Sequence, residues 1–468
     1  MGSDIANAGK GTSRELLTLA TPLILANSFA TIQFTVDRAF LSQYDPDAMG
    51  ASMPAAMVFW LFFTLIQGTA GYVSTFVAQY TGAGRPLRIG PAVWQGIYFS
   101  VVAGCVFWVL WPLAPYLFDT SITHHAPKLA ALETAFFRSL CPAVLPMALI
   151  ATLTGFFAGR GDTWTVLAIN AFGTFGTVFF DYAMIFGHFG FPQLGIVGAG
   201  WATAIGSWMS ASLAMIFFFR TKYRIEFATV SGWRIDIDLM KRLLKYGGPA
   251  GLQWALDALS FTLFIMFVGR LGDAEANATS LTFTLNMVGF LPMQGIGQTI
   301  AILVGQRLGE NRPDLAERST ILGARWAVGY MATVAMIYVL FPEALMWGFR
   351  PPDGSDSLEE WKKVVAIVPT LLICVAAYSL ADSLNVTYSF ALRGAGDTRF
   401  VTILTFALAW PCMIIPTYLL VTYGGNIYWA WGFASFYISV MAFCLWLRFR
   451  SGKWKSMRVI EAAPPLAE

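Results

Sequence analysis

Four carboxylates stand where an apolar chain has least use for them: Asp37, Asp181, Asp257 and Asp382 each fall within long runs of hydrophobic residues. Asp382 is the plainest case, with Val364 to Leu380 on one side, Val386 to Leu392 on the other, and no Lys or Arg within helical reach. An acid at the centre of a membrane helix is unfavourable by roughly 2.5–3.5 kcal/mol on insertion scales, so such a residue is usually paired, cavity-facing or functional. Two chemistries suit it. A desolvated carboxylate can take up and release a proton, and an acid ringed by hydroxyl or carbonyl oxygens can hold a hard cation. The plainer alternative is a structural acceptor that ties two helices together.

Spacing sorts the four acids into two layers. Asp257 lies twelve residues after Lys245 and Asp382 eleven before Arg393, which puts both ~16–18 Å from the same edge if their helices are regular. Tyr378 is four residues before Asp382, and Gln253 four before Asp257; each therefore shares its acid's helix face. In the first half, Asp37 is eight residues before Asp45, Asp181 is near the outer end of its span, Thr177 precedes it by four, and Thr203 is a few residues into the next span. We expect Asp37, Thr177, Asp181 and Thr203 to form one proton or cation site, and Asp257, Tyr378 and Asp382 a second. Two carboxylates close together in a dry site cannot both stay charged without a counter-ion. Arg38 neighbours Asp37 but points about 100° away on a helix. Asn286, Gln294 and Gln253 are polar contacts between helices by default and the first candidates to line a substrate cavity.

The elements that carry these residues follow from composition. The chain has 468 residues, 57% of them hydrophobic and only 12% charged, too few polar groups to cover a water-soluble protein. Apolar runs long enough to cross ~30 Å of hydrocarbon fall near 16–42, 51–79, 92–118, 130–156, 164–187, 194–220, 243–270, 278–307, 321–348, 364–392, 398–422 and 427–448. The fold class is all-α and integral to the membrane: twelve transmembrane helices in two six-helix bundles related by a pseudo-twofold axis. Lys and Arg concentrate in alternate loops, above all in 220–245 and in the tail after Arg448, so both termini are expected in the cytoplasm of a multi-pass plasma (inner) membrane protein.

The halves repeat. GTAGYVSTFVAQYTGAGRP at 68–86 lies over GIGQTIAILVGQRLGENRP at 295–313, and Pro22 over Pro249, both at an offset of 227. Gly159-Arg160-Gly161-Asp162-Thr163 returns as Gly394-Ala395-Gly396-Asp397-Thr398, 235 residues on; there glycine ends one helix and Asp caps the next. Parallel repeats of this kind occur in secondary transporters, with binding near the interface between lobes. We divide the chain into an N-terminal lobe (1–220), a cytoplasmic linker (221–242), a C-terminal lobe (243–448) and a cytoplasmic tail (449–468).

Other chemistries lack their residues. There is no GxxxxGK[ST] phosphate loop, GxSxG turn or HExxH helix, so neither ATP hydrolysis nor hydrolytic catalysis is expected. The five cysteines show no CxxC or pairing rhythm and read as packing residues. His124-His125 alone is a poor metal site. A net charge of +3 gives no ground for a nucleic-acid partner. We expect no enzyme, no bound metal and no cofactor beyond a coupling Na⁺ or H⁺, in a monomer surrounded by membrane lipid.

With these residues assembled, the chain resembles the MATE (multidrug and toxic compound extrusion) transporters over essentially all twelve spans. FTVDRAFLS, carrying Asp37, is similar to the family's first-helix motif, and ALRGAGDT to its turn after span ten. The NorM-like branch is the nearest. Its span-seven acid falls on Asp257, an Asp where that branch usually has Glu, its span-ten acid on Asp382 and the companion tyrosine on Tyr378. The family's first-lobe cation site falls on Asp37, Thr177, Asp181 and Thr203, with Thr177 replacing an Asn. The resemblance implies an antiporter that exports bulky organic cations in exchange for Na⁺ or H⁺ by alternating access. Rivals are a flippase of the same superfamily for a lipid-linked precursor, expected to line its cavity with bases, and a membrane enzyme or receptor. The topology has a direct test: single cysteines at Ser231 and Ser355 in a Cys-free background should label from opposite sides, and labelling of both from one side overturns the twelve-span arrangement.

Overall fold

The computed structural model describes residues 10–119, 126–349 and 357–461. The His124-His125 pair, Ser355 and the ends of the chain lie outside the described residues. Twelve helices are long and apolar enough to cross a membrane, and no strand occurs among the described residues. They are α1 (Ser13–Tyr44), α2 (Ala48–Gly82), α3 (Pro86–Phe107), α4 (Pro127–Gly159), α5 (Thr163–Phe186), α6 (Ile196–Phe218), α7 (Ile237–Val268), α8 (Asp273–Gly309), α9 (Pro313–Leu340), α10 (Trp361–Ala395), α11 (Thr398–Thr422) and α12 (Ile427–Arg450). The protein is a multi-pass membrane protein.

The largest departures from the expected spans have local causes. The third was expected over 92–118, but α3 stops at Phe107 and a short helix follows at Leu110–Leu117. Pro112 has no N–H to offer the Trp108 carbonyl four residues back; that carbonyl is taken by Trp111 N–H at 3.1 Å, while Trp108 and Val109 donate three residues back. The ninth was expected over 321–348. Instead α9 starts at Pro313, whose fixed φ suits a first helical position, and it ends before Phe341, pushed to φ −129° by Pro342.

The chain forms two compact units, one of residues 1–17, 256–304 and 313–457, the other of 18–255, 305–312 and 458–468. The first unit has a core around Phe264, Phe283 and Trp431, with Trp431 5.0 Å from Phe283 and 5.9 Å from Phe264 between ring centres. The second packs Phe59 against Phe63 and Phe107 at 5.7 and 5.5 Å. Its α5 and α6 meet through small residues: a Cβ on Gly206 would run into the Thr177 hydroxyl, and one on Gly173 into that of Ser210. Without a hydrophobic drive between helices in lipid, such close approach is how they bind.

The two GDT turns have the same backbone and different partners. Gly161 and Gly396 sit at φ +87° and +105°, where a side chain would be strained. Asp162 caps α5 as expected, accepting from the Thr165 N–H at 3.4 Å and its hydroxyl at 2.9 Å. Asp397 does not cap α11. Its carboxylate is taken instead by Arg448 Nε at 2.7 Å, 51 residues on, and the guanidinium lies 4.6 Å from the Phe400 ring. Removing one partner of a buried pair strands the other charge, at a cost of about 3–5 kcal/mol. Arg448→Met should therefore lower thermal stability more than Arg448→Met combined with Asp397→Ala does; equal losses would show that the pair is not coupled.

Candidate functional site

The second unit brings Asp37 and Asp181 together. Aromatic contacts between α1 and α5 set their register: Phe29 lies 5.9 Å from Phe175, and Phe40 5.8 Å from Tyr182. The two acids fall between these contacts, within electrostatic reach of each other. Asp181 is fully buried, and neither of its carboxylate oxygens has a hydrogen-bond partner, nor does Oδ1 of Asp37. Thr177, 2% exposed, is one turn before Asp181 on α5, its hydroxyl against Gly206. Thr203 is half-buried three residues before Gly206 on α6, and its carbonyl accepts from Ser207 Oγ at 2.7 Å. Neither threonine bonds Asp181. Arg38 turns away as expected, its guanidinium 4.0 Å from the Phe34 ring and Nη2 2.8 Å from Met53 Sδ.

Three of the four carboxylate oxygens of this pair are buried and have no donor. Burying an acid without a hydrogen bond is costly, a cost that a proton on one acid or a cation between the two would relieve. The site is of the right composition for either: two carboxylates on different helices, with hydroxyls one turn away.

The first unit gathers its acids around a residue the spacing did not single out. Tyr437 on α12 lies within electrostatic reach of both Asp257 on α7 and Asp382 on α10. Tyr378 lies within reach of Asp382 and is 5% exposed; its hydroxyl accepts from Asn286 Nδ2 on α8 at 3.4 Å. Asn385 Nδ2 donates to Asp382 Oδ1 at 3.2 Å. Four helices thus supply two carboxylates, two phenols and two amides. Asn385, three residues after Asp382, was open to detection by helical spacing; Tyr437 was hidden in the aromatic run IYWAWGFASFY.

The three amides proposed for a cavity separate. Asn286 belongs to the Tyr378 cluster. Gln294 is two turns further along α8, its Oε1 buried and without a hydrogen bond, and nothing links it to the carboxylates. Gln253 is buried in the part of α7 that belongs to the second unit.

Buried acids grouped with neutral oxygens, carried on twelve apolar helices, are the build of a membrane transporter. Comparison with known proteins gives the family: the MatE family model matches residues 22–183 and again 249–419, and the chain belongs to that family, as a transporter and not an enzyme. It is similar to multidrug resistance protein PmpM of Pseudomonas aeruginosa, 26% identical over 404 residues that cover 85% of this chain and 81% of that one. It is also similar to a probable multidrug resistance protein NorM of Thermotoga maritima, 25% identical over 464 residues covering 96% and 94%. Among solved structures, an outward-facing multidrug resistance MATE family transporter of the MOP superfamily superposes with a TM-score of 0.85 at 18% identity, over 96% of this chain and 98% of that one. A MOP superfamily transporter from Pyrococcus furiosus, with a reversed pocket polarity that suggests a different function, gives 0.84 at 18% identity over the same shares. The likeness shows the fold; function has to be argued from the acids.

If Asp181 is kept for ion chemistry, removing its charge relieves an unmet desolvation cost. Asp181→Asn should leave the melting temperature in detergent unchanged or raise it by a few degrees. A fall of several degrees would make Asp181 a structural acceptor.

Proposed function

We propose that this protein is a secondary antiporter that exports organic cations in exchange for Na⁺ or H⁺ by alternating access. The observation that carries this is the Asp37–Asp181 pair, with three buried oxygens lacking any hydrogen-bond partner. With Arg38 in electrostatic reach of Asp37 alone and Asp181 facing only the other acid, the pair suits a cation or a proton, and a substrate that competes for it is itself a cation. The names of the relatives, multidrug resistance proteins, support a broad range of small-molecule substrates. The Asp257–Asp382–Tyr437 cluster is the second candidate coupling site, with Tyr378 as its neutral oxygen. Acids rather than bases in the spans favour cation export over flipping of a pyrophosphate-bearing lipid.

The double match of the family model, 22–183 and 249–419, supports two lobes over 1–220 and 243–448, joined by 221–242. Lys and Arg in that linker and in the tail support cytoplasmic termini and residence in the inner membrane. We place the protein there as a monomer.

Two sets of variants divide the coupling. Na⁺ needs several oxygens where a proton needs one carboxylate, so Thr177→Val or Thr203→Val should weaken Na⁺-driven export of a fluorescent cation and spare H⁺-driven export, while Asp37→Asn damages both. Unchanged Na⁺ dependence in both threonine variants, with Asp37→Asn inactive, makes this a proton site. Asp382→Asn should abolish coupled export at near-normal expression and thermal stability; export at the wild-type rate removes Asp382 from the coupling.

A further inference from the structure

Beyond Met457 the chain does not trail away from the second unit but is stitched into it. Val459 is 1% exposed and its N–H donates to Oε1 of the fully buried Gln79 at 2.9 Å. Arg458 Nη2 donates to Asn311 Oδ1 at 3.2 Å. Glu461 then collects donors from three helices: the buried Tyr80 hydroxyl of α2 at 2.6 Å, Arg88 Nε of α3 at 2.9 Å, and Arg242 Nη1 of α7 at 3.3 Å. Its carbonyl accepts from Arg85 at 3.1 Å. Arg88 also reaches Asp236, just before α7, at 3.4 Å.

One carboxylate thus joins the ends of α2 and α3 to the first turns of α7. Higher on the same helices, a Cβ on Gly68 of α2 would lie 2.6 Å from Gly251 Cα of α7, and Thr69 Oγ1 donates to the Gly247 carbonyl at 3.3 Å. Pro249 sits inside α7 between Gly251 and Arg242; lacking an N–H, it leaves the first turns of α7 a place to bend. Those turns are held to α2 by the Thr69–Gly247 bond and to both α2 and α3 by Glu461. Burial acts to raise the Glu461 pKa, but the Tyr80 hydroxyl and the Arg88 guanidinium outweigh it and hold the carboxyl below the usual carboxylate range. The strap is therefore charged at neutral pH, and its charge-assisted bonds are of the strong kind.

We propose that residues 458–461 are a releasable strap, which pins the first turns of α7 to the ends of α2 and α3 and must let go once in every transport cycle. This rests on the antiporter reading, because alternating access requires one end of the helices to part from its neighbours and then return. A separation of an ångström or two exceeds hydrogen-bond reach and breaks the Glu461 contacts together.

The test uses the full-length chain in proteoliposomes. The five native cysteines are replaced, cysteines are placed by Arg88→Cys and Glu461→Cys, and a short bis-methanethiosulfonate linker then makes the strap permanent. Unlinked, the variant should transport a fluorescent cation at least as fast as its Cys-free parent, since the strap has been weakened. Linked, it should slow by at least ten-fold, and reductant should restore the rate. A linked protein that transports like the unlinked one overturns the proposal. So does an unlinked variant that is inactive beside an active parent, because the strap would then be a fixed structural staple. No transport by the wild-type protein, under either an Na⁺ or a pH gradient, sinks the antiporter reading instead.

Discussion

A carboxylate moved into hydrocarbon must be answered by something, and at Asp181 the protein supplies no answer. Both oxygens are buried and without a hydrogen bond, while Asp37 adds a second negative charge within reach. Isolated ionised acids in an apolar medium are among the most costly groups a fold can carry. The surroundings show that the placement is held and not accidental. Aromatic pairs fix α1 on α5, and a seam of Gly173, Gly176, Gly206 and Ser210 lets α6 approach α5 until Thr177 touches backbone.

The other unit answers its acids differently. Asp382 has an amide donor in Asn385, and Tyr437 lies within electrostatic reach of both Asp382 and Asp257. Tyr378 is tied to Asn286. In such a cluster the amide hydrogen bonds meet part of the cost of burying the charge. The sequence repeat therefore carries two chemistries on one architecture: a bare pair of acids in one half, a hydrogen-bonded network in the other.

How much of this was legible depends on how local each signal was. Twelve spans follow from hydropathy because bilayer thickness imposes a length, and the acids stand out because hydrocarbon makes them rare. Counting from flanking bases put Asp257 and Asp382 at one depth, and the structure brings both to Tyr437. Tyr437 itself gave no signal, since α12 is rich in aromatics and only its neighbours in space distinguish it. Asp397 matched the capping pattern of Asp162, yet Arg448 claims its carboxylate; two identical motifs differ through a contact 51 residues away. Nothing local in the tail marks Glu461; only tertiary structure reveals the three helices that meet on it.

The proposed exchange of an ion for an organic cation runs through these buried acids. It is tested most directly by moving a fluorescent organic cation across proteoliposomes that contain only this protein, with Na⁺ and pH gradients imposed one at a time. At least one gradient should drive the cation against its own concentration difference, and collapsing that gradient should stop it at once. If the cation only ever runs down its own gradient, whichever ion gradient is imposed, the acids do not couple transport and the account is wrong.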